Sequence, residues 1–357
     1  MIICRTPFRI SFFGGGTDYP SWYLRNGGDV LSTTIDKYCY ITLRYLPPFF
    51  EHRIRLSYSK IELCQSYETI KHPSAREILR YLNLNRGLEI HYDGDLPARS
   101  GMGSSSSFTV CLLHALYALK GIMVSKERLA MESIYIEQNM VKETIGSQDQ
   151  VAAAHGGFNR ITFTESGKIK THPVTITSAR KKELNSHLML FYTGIARTAS
   201  DVAKSYVNDL VKKDNVLKKM QAMVKEGIEI LQYSGNIHEF GELLHESWML
   251  KRQLSPEITN GILDNYYKMA RASGAIGGKI LGAGGGGFLL LFVPISKQQR
   301  VRKALNDLIR VPFRFESQGS QIILYDPPEE DYIEVEKDRD SQRSKRKKQA
   351  KKRVSKN

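Results

Sequence analysis

Between Pro97 and Ser107 the chain reads Pro-Ala-Arg-Ser-Gly-Met-Gly-Ser-Ser-Ser-Ser and runs directly into an apolar stretch, with Phe108, Leu112, Leu116 and Leu119 at helical spacing. Gly101 and Gly103 let the backbone turn tightly and approach an anion. Four hydroxyls stand where the first N–H groups of the helix have no partner and its dipole is positive, so the segment is a ready phosphate cradle. A flexible Gly/Ser linker is the competing reading, but a linker has no need to open into an amphipathic helix. The expected helix runs from Ser104 to Leu119 and stops at Gly121.

Two other segments are rich in glycine. Gly282-Ala283-Gly284-Gly285-Gly286-Gly287 matches the spacing of a dinucleotide fingerprint, yet Phe288–Val293 after it reads as a buried strand, and that fingerprint has to open a helix. Its glycines still call for close backbone approach. Near the start, Pro7-Phe8-Arg9 is followed by Gly14-Gly15-Gly16-Thr17-Asp18, a cation at a strand end and a carboxylate just past a turn. Such a pair can grip a polyol; taken alone, a strand turn with a surface Asp is the simpler reading. No G-x-x-x-x-G-K-[ST], H-R-D or D-F-G occurs, which excludes the P-loop and protein-kinase arrangements.

With 357 residues, 41% of them hydrophobic, the chain can bury two cores. Ile2–Phe13, Tyr38–Tyr45 and Leu88–Tyr92 read as strands and Ser74–Leu82 as a helix, then a hairpin over 158–176 and a strand Leu188–Tyr192. Later come a helix opened by an N-cap at Thr198, another from Ser255-Pro256 to Gly274, strands on either side of Gly282–Gly287, and a helix Lys297–Ile309. The fold class is α+β, with residues 1–180 as one domain, 181–328 as a second and 329–357 as a charged tail. On the helix predicted over Lys126–Val141, Glu137 falls inside an apolar arc with Leu129, Ile134 and Met140. A carboxylate placed there needs a metal or structural hydrogen bonds.

No stretch approaches the ~18 uninterrupted apolar residues of a membrane span, and Met1–Arg9 lacks the order of a signal peptide, so the chain is expected in the cytosol. Cys4, Cys39, Cys64 and Cys111 are widely spaced and read as thiols. Lys and Arg outnumber Asp and Glu by 52 to 37, a formal charge of +15. Lys337–Asn357 carries a local +9 and Glu329–Glu336 carries five carboxylates, which leaves +11 on residues 1–328. The tail has no hydrophobic periodicity and is expected to be disordered. A basic arm of this kind can bind nucleic acid electrostatically; a solvated terminus without a partner is the simpler reading.

The three glycine segments occur in the order that characterises the GHMP small-molecule kinases, and residues 1–328 resemble that family. Pro97–Ser105 resembles its P-x-x-x-G-[LM]-G-S-S phosphate loop, and Lys279–Phe288 its C-terminal glycine motif. Pro7, Arg9, Gly14–Asp18 and Gln148-Asp149-Gln150 are most similar to the sugar-1-kinases, in particular the D-glycero-D-manno-heptose 7-phosphate kinases. Galactokinases have G-E-H-T-D where this chain has Gly14-Gly15-Gly16-Thr17-Asp18, which argues against galactose.

The resemblance implies a ribosomal-S5-like α/β domain followed by a ferredoxin-like α+β domain, with the active site in the cleft between them. It also implies that Asp149 accepts the proton of the substrate hydroxyl and that Arg9 pairs with it and with the transferring phosphoryl group. Gly16, Thr17 and Asp18 would contact the sugar. Pro97, Arg99, Ser100, Gly101, Met102, Gly103, Ser104, Ser105 and Ser106, with Gly284 and Gly285, would hold ATP. Mg²⁺ would sit between Glu137 and a loop serine, Ser105 being a better match than Ser104; few protein oxygens suffice for this ion. The expected activity is ATP-dependent phosphorylation of the anomeric O1 of a heptose 7-phosphate. A kinase for another sugar such as L-fucose, or a non-catalytic sugar-sensing or nucleic-acid-binding relative, are the alternatives. The oligomeric state stays open.

Overall fold

The computed structural model describes residues 1–327, apart from 85, 99, 196–198 and 208–209, together with 332, 334, 335, 337–339 and 341. The N-cap expected at Thr198 and most of the basic tail lie outside the described residues. The first half runs β1 (Ile2–Phe13), α1 (Pro20–Asn26), β2 (Gly28–Tyr45), β3 (Ile54–Ser57), β4 (Ile61–Cys64), α2 (Pro73–Tyr81) and β5 (Leu88–Gly94). Then come α3 (Ser104–Leu119), α4 (Lys126–Tyr135), α5 (Gln148–His155) and the hairpin β6 (Phe158–Phe163) with β7 (Ile169–Pro173). β2 starts at Gly28 rather than Tyr38, because its first residues pair with β6 and its middle with β1. That pairing is non-local, so no local pattern announces it.

α3 is buried on nearly every side, as a helix apolar all round must be. It packs on β1, β2, α4 and α5. Val110, Leu112, Leu113 and Leu116 are fully buried, each contributing roughly 1.5–3 kcal/mol of transfer free energy. Of the serines at its start, Ser104, Ser106 and Ser107 are buried and Ser105 is exposed.

The second half holds α6 (Ser178–His187), β8 (Leu188–Tyr192), α7 (Ala199–Val207), α8 (Asp214–Tyr233), α9 (His238–Lys251), α10 (Gly261–Ala272), β9 (Gly277–Ile280), β10 (Phe288–Phe292), α11 (Gln298–Ala304) and β11 (Ile309–Val311). Its antiparallel sheet has the order β11-β8-β10-β9, the ferredoxin-like arrangement. Ser255-Pro256 opens only a single 3₁₀ turn, and α10 begins after Asn260, whose Oδ1 accepts from the Ile262 and Leu263 N–H groups at 3.1 and 3.0 Å. The last helix ends at Ala304, short of Ile309, which has become strand.

β12 (Phe315–Glu316) and β13 (Gln321–Tyr325) return to the first sheet, where β12 pairs β2 and β13 pairs β1 in the order β13-β1-β2-β5-β3-β4. Residues 315–325 therefore share a sheet with the first half, although in sequence they lie within 181–328. Gly319 clears the way: a Cβ there would meet the Ala154 carbonyl at 2.1 Å. All four cysteines are free and buried, and among the described residues no helix is long and apolar enough to cross a membrane.

Candidate active site

β1 loses register with β2 between Pro7 and Arg9, where Pro7 has no N–H to donate. A bulge of this kind re-aims a side chain. Phe8 is buried in the core and Arg9 is turned toward a cavity between the two halves. There Arg9 Nε donates to Asp149 Oδ1 at 2.7 Å and Nη2 to Oδ2 at 2.6 Å, a two-point pair. Its Nη1 donates to the Gly101 carbonyl at 2.8 Å, tying the pair to the phosphate loop. Asp149 stands in the first turn of α5, a helix with no strong periodicity in sequence.

Asp18 lines the same cavity and is almost fully buried. One oxygen accepts from the Gly16 N–H at 2.9 Å and the other from the Gln148 N–H at 3.4 Å. Burial, and then the charge of Asp149, raise its pKa. Gly146 explains itself here, since a Cβ on it would meet Asp18 Oδ2 at 1.8 Å. The first glycine segment and the Asp149 segment thus interlock through one carboxylate. Thr17 points elsewhere: its hydroxyl donates to the Gly14 and Asp29 carbonyls at 2.8 and 3.0 Å, and accepts from the Asp29 N–H. It braces the turn beneath Asp18 and is not among the cavity-lining residues.

Of the phosphate-loop residues, Gly101, Gly103, Ser104, Ser105 and Ser106 line the cavity. Ser100 caps the turn by donating to the Pro97 carbonyl at 2.6 Å, and Met102 is buried with its carbonyl accepting from the Arg9 N–H. Pro97, Ser100 and Met102 do not line the cavity, and Arg99 lies outside the described residues. The close approach that the second glycine run requires is protein against protein. A Cβ on Gly282 would meet Gly101 Cα at 2.5 Å, and one on Gly287 the Ser100 carbonyl at 2.1 Å. Gly284 packs on Ile258, and the Gly285 N–H donates to the Ile258 carbonyl at 2.8 Å. That N–H is already engaged, and the cavity is lined instead by Gly282 and Ala283.

Glu137 is fully buried, as its helical arc implied, but α4 gives way to a π-turn over Ile136–Met140, which shifts the register that sets its direction. Thr109 and Ser106 of α3 donate to its carboxylate at 2.6 and 2.8 Å, and Gln150 of α5 donates to the same oxygen as Ser106. Burial, the largest effect, lifts its pKa to about 7 despite these donors, with Glu143 adding repulsion. The carboxylate and the hydroxyls that donate to it are hard oxygens of the kind that suit Mg²⁺, but the loop serine bonded to Glu137 is Ser106, whereas Ser105 lines the cavity and Glu137 does not. Among the described residues no cluster of three His, Cys, Asp or Glu could hold a metal alone, so a cation here would draw its remaining ligands from phosphate and water.

The raised pKa has a testable consequence. The fold prefers the protonated form of Glu137, so stability present below about 4.5 is lost as the pH rises through about 7. In chelator, calorimetry between pH 4.5 and 8 should show this loss, up to about 3 kcal/mol. Glu137→Gln should flatten that part of the profile; an unaltered slope would clear Glu137 as its source.

The cavity-lining residues to which the sequence assigned no role include Lys251 at the end of α9, Lys279 in β9, Tyr206 in α7 and Glu143 after the π-turn. Lys251, Tyr206 and Glu143 sit in ordinary helical or loop sequence, with no motif to mark them. Lys279 opens the C-terminal glycine motif, which was the one available signal.

Residues 68–157 match the GHMP kinase N-terminal domain model and residues 220–310 the GHMP kinase C-terminal model. The chain is 28% identical over 312 residues to the D-glycero-alpha-D-manno-heptose 7-phosphate kinase of Campylobacter jejuni, covering 84% of this chain and 92% of that protein. It is 26% identical over 338 residues to the bifunctional fucokinase/GDP-fucose pyrophosphorylase of Arabidopsis thaliana, spanning 84% of this chain but only 31% of that larger protein. Among solved structures, a D-glycero-D-manno-heptose 1-phosphate kinase from Bacteroides thetaiotaomicron superposes with a TM-score of 0.75 at 23% identity, covering 91% of this chain and 99% of that one. Two matched domains in family order, around a cavity with a phosphate loop on one wall, leave one conclusion: the chain belongs to the GHMP kinases and is a sugar kinase of that family, a phosphotransferase with an alcohol group as acceptor.

Proposed function

We propose that the protein transfers the γ-phosphoryl group of ATP to the anomeric O1 of D-glycero-D-manno-heptose 7-phosphate, giving the 1,7-bisphosphate for nucleotide-activated heptose synthesis in the cytosol. The observation that carries this reading is the Arg9–Asp149 pair, held at 2.6–2.7 Å against the phosphate loop with Asp18 lining the same cavity. The similarity to the Campylobacter jejuni heptose 7-phosphate kinase, nearly end to end, supports the choice of sugar.

In the proposed reaction Asp149 accepts the O1 proton as the new O–P bond forms, the bond from the γ-phosphorus to the bridging oxygen breaks, and ADP leaves. Arg9 orients Asp149 and offers its fork to the phosphoryl oxygens. Asp18, fixed by the Gly16 N–H, accepts hydrogen bonds from sugar hydroxyls; Thr17 serves by holding the turn. The N–H groups at Gly103–Ser106 receive the ATP phosphates at the start of α3. Glu137 and Ser105 would hold Mg²⁺, which supplies charge neutralisation of the phosphates when bound. The +11 on residues 1–328 suits two phosphate-bearing ligands.

Phosphorus NMR with a panel of free sugars and sugar phosphates tests the reading. An anomeric phosphate signal from the heptose 7-phosphate, with free L-fucose turned over at least 100-fold less efficiently, is expected. Preferred turnover of fucose would move the protein to the fucokinase branch, which its relatives also include. No anomeric phosphate from any sugar, with an active control enzyme, would sink the proposal.

A further inference from the structure

Two lysines from the second half of the chain enter the cavity beside Arg9. Lys251 and Lys279 are only 6% and 3% exposed. Lys251 Nζ donates to the Gly282 carbonyl, and Lys279 Nζ to the Phe12 carbonyl at 2.8 Å. Among the described residues neither has a carboxylate within ion-pair distance. The two carboxylates nearby are Asp149, held at two points by Arg9, and Asp18, held by backbone N–H groups.

A buried ammonium with one carbonyl acceptor is costly, and a lysine that only filled space would be bettered by an apolar side chain. Burial, and then the charge of Arg9, bring Lys251 down to about 8; burial, and then Lys251 and Arg9, hold Lys279 well below the usual lysine range. Arg9 and two lysines against two carboxylates leave this dry wall with a surplus of cationic groups, and an anion entering beside them would offset it and favour the protonated form of both lysines. We propose that Lys251 and Lys279, together with Arg9, form a phosphoryl-binding subsite contributed by the second half of the chain. This rests on the kinase reading above. The phosphoryl group has two sources, the ester already on the acceptor sugar and the group in transfer from ATP.

The test uses Lys251→Met and Lys279→Met, which keep the length and apolar stem, in the full chain. Titration calorimetry with inorganic phosphate at pH 7 should show binding to the wild type that each variant weakens at least tenfold. This holds whichever sugar is the substrate, so it separates the subsite from the choice of acceptor. If the subsite holds the acceptor's ester, KM for the sugar phosphate rises about 100-fold, at least tenfold more than any change in kcat or KM for the free sugar. If it holds the transferring group, kcat falls about 100-fold on both acceptors, and ATP but not ADP binds more weakly. Should the variants fail to fold, sulfate, whose charge is constant from pH 7 to 9, is titrated into the wild type instead. Its affinity should drop as the pH passes about 8 and Lys251 loses its proton beside Arg9, Lys279, Asp18 and Asp149. Folded variants with unchanged phosphate binding and kinetics, or a sulfate affinity flat across that range, would overturn the proposal and leave the lysines as braces.

Discussion

Asp149→Asn lowers kcat about 10³-fold while KM for ATP stays within about twofold. The amide keeps the shape of the carboxylate and can still accept from Arg9, so the architecture around Gly101 is retained. It cannot take a proton, and it no longer offsets the charge of Arg9 in a wall that already holds Lys251 and Lys279. The loss therefore falls on the chemical step, while the N–H groups of the phosphate loop, which do not touch Asp149, continue to bind nucleotide. Single-turnover kinetics with saturating ATP isolate that step. A wild-type rate would remove Asp149 from the mechanism, and a matched rise in KM for ATP would reassign it to nucleotide binding.

Gly101→Ala lowers Tm by about 3–7 °C and raises KM for ATP at least tenfold. Gly101 has a φ of +81°, and a Cβ on it would meet the Leu281 carbonyl oxygen at 2.5 Å. Both the strain of a left-handed alanine, about 1–2 kcal/mol, and the overlap with rigid backbone, about 1–3 kcal/mol, act together. The overlap pushes the phosphate loop away from the second glycine run, and Arg9 loses the Gly101 carbonyl it donates to. Gly121→Ala is the control: its φ is +68° but nothing lies within 4 Å of the added carbon. It should show the strain alone, a loss of about 1–2 kcal/mol with unchanged ATP binding. Equal effects of the two substitutions would mean that the packing of loop on loop is unimportant.

The phosphate loop, α3 and the burial of Glu137 were legible because each is local. A glycine turn that opens an apolar helix, and a carboxylate in an apolar arc, are patterns within about one or two helical turns. The roles of glycines outside the loop were less legible. Gly146 makes room for Asp18 and Gly287 makes room for Ser100, contacts across more than 100 residues that no spacing encodes. The same holds for Thr17, where neighbouring Asp18 invited a substrate role while its hydroxyl was needed at Gly14 and Asp29.

What the sequence by itself determined is the chemistry on offer: one phosphate cradle, one Arg9 and one Asp149 in family order, and an α+β fold in two parts. The tertiary structure alone decided how those groups meet. It set Arg9 against Asp149 by a bulge in β1, brought β12 and β13 back to the first sheet, and delivered Lys251 and Lys279 from the second half into the same cavity. The physical reason is range. Turn and helix preferences act over a few residues, whereas the charge balance of a buried site is set by side chains more than 200 residues apart in the chain, which come together only when both cores have packed.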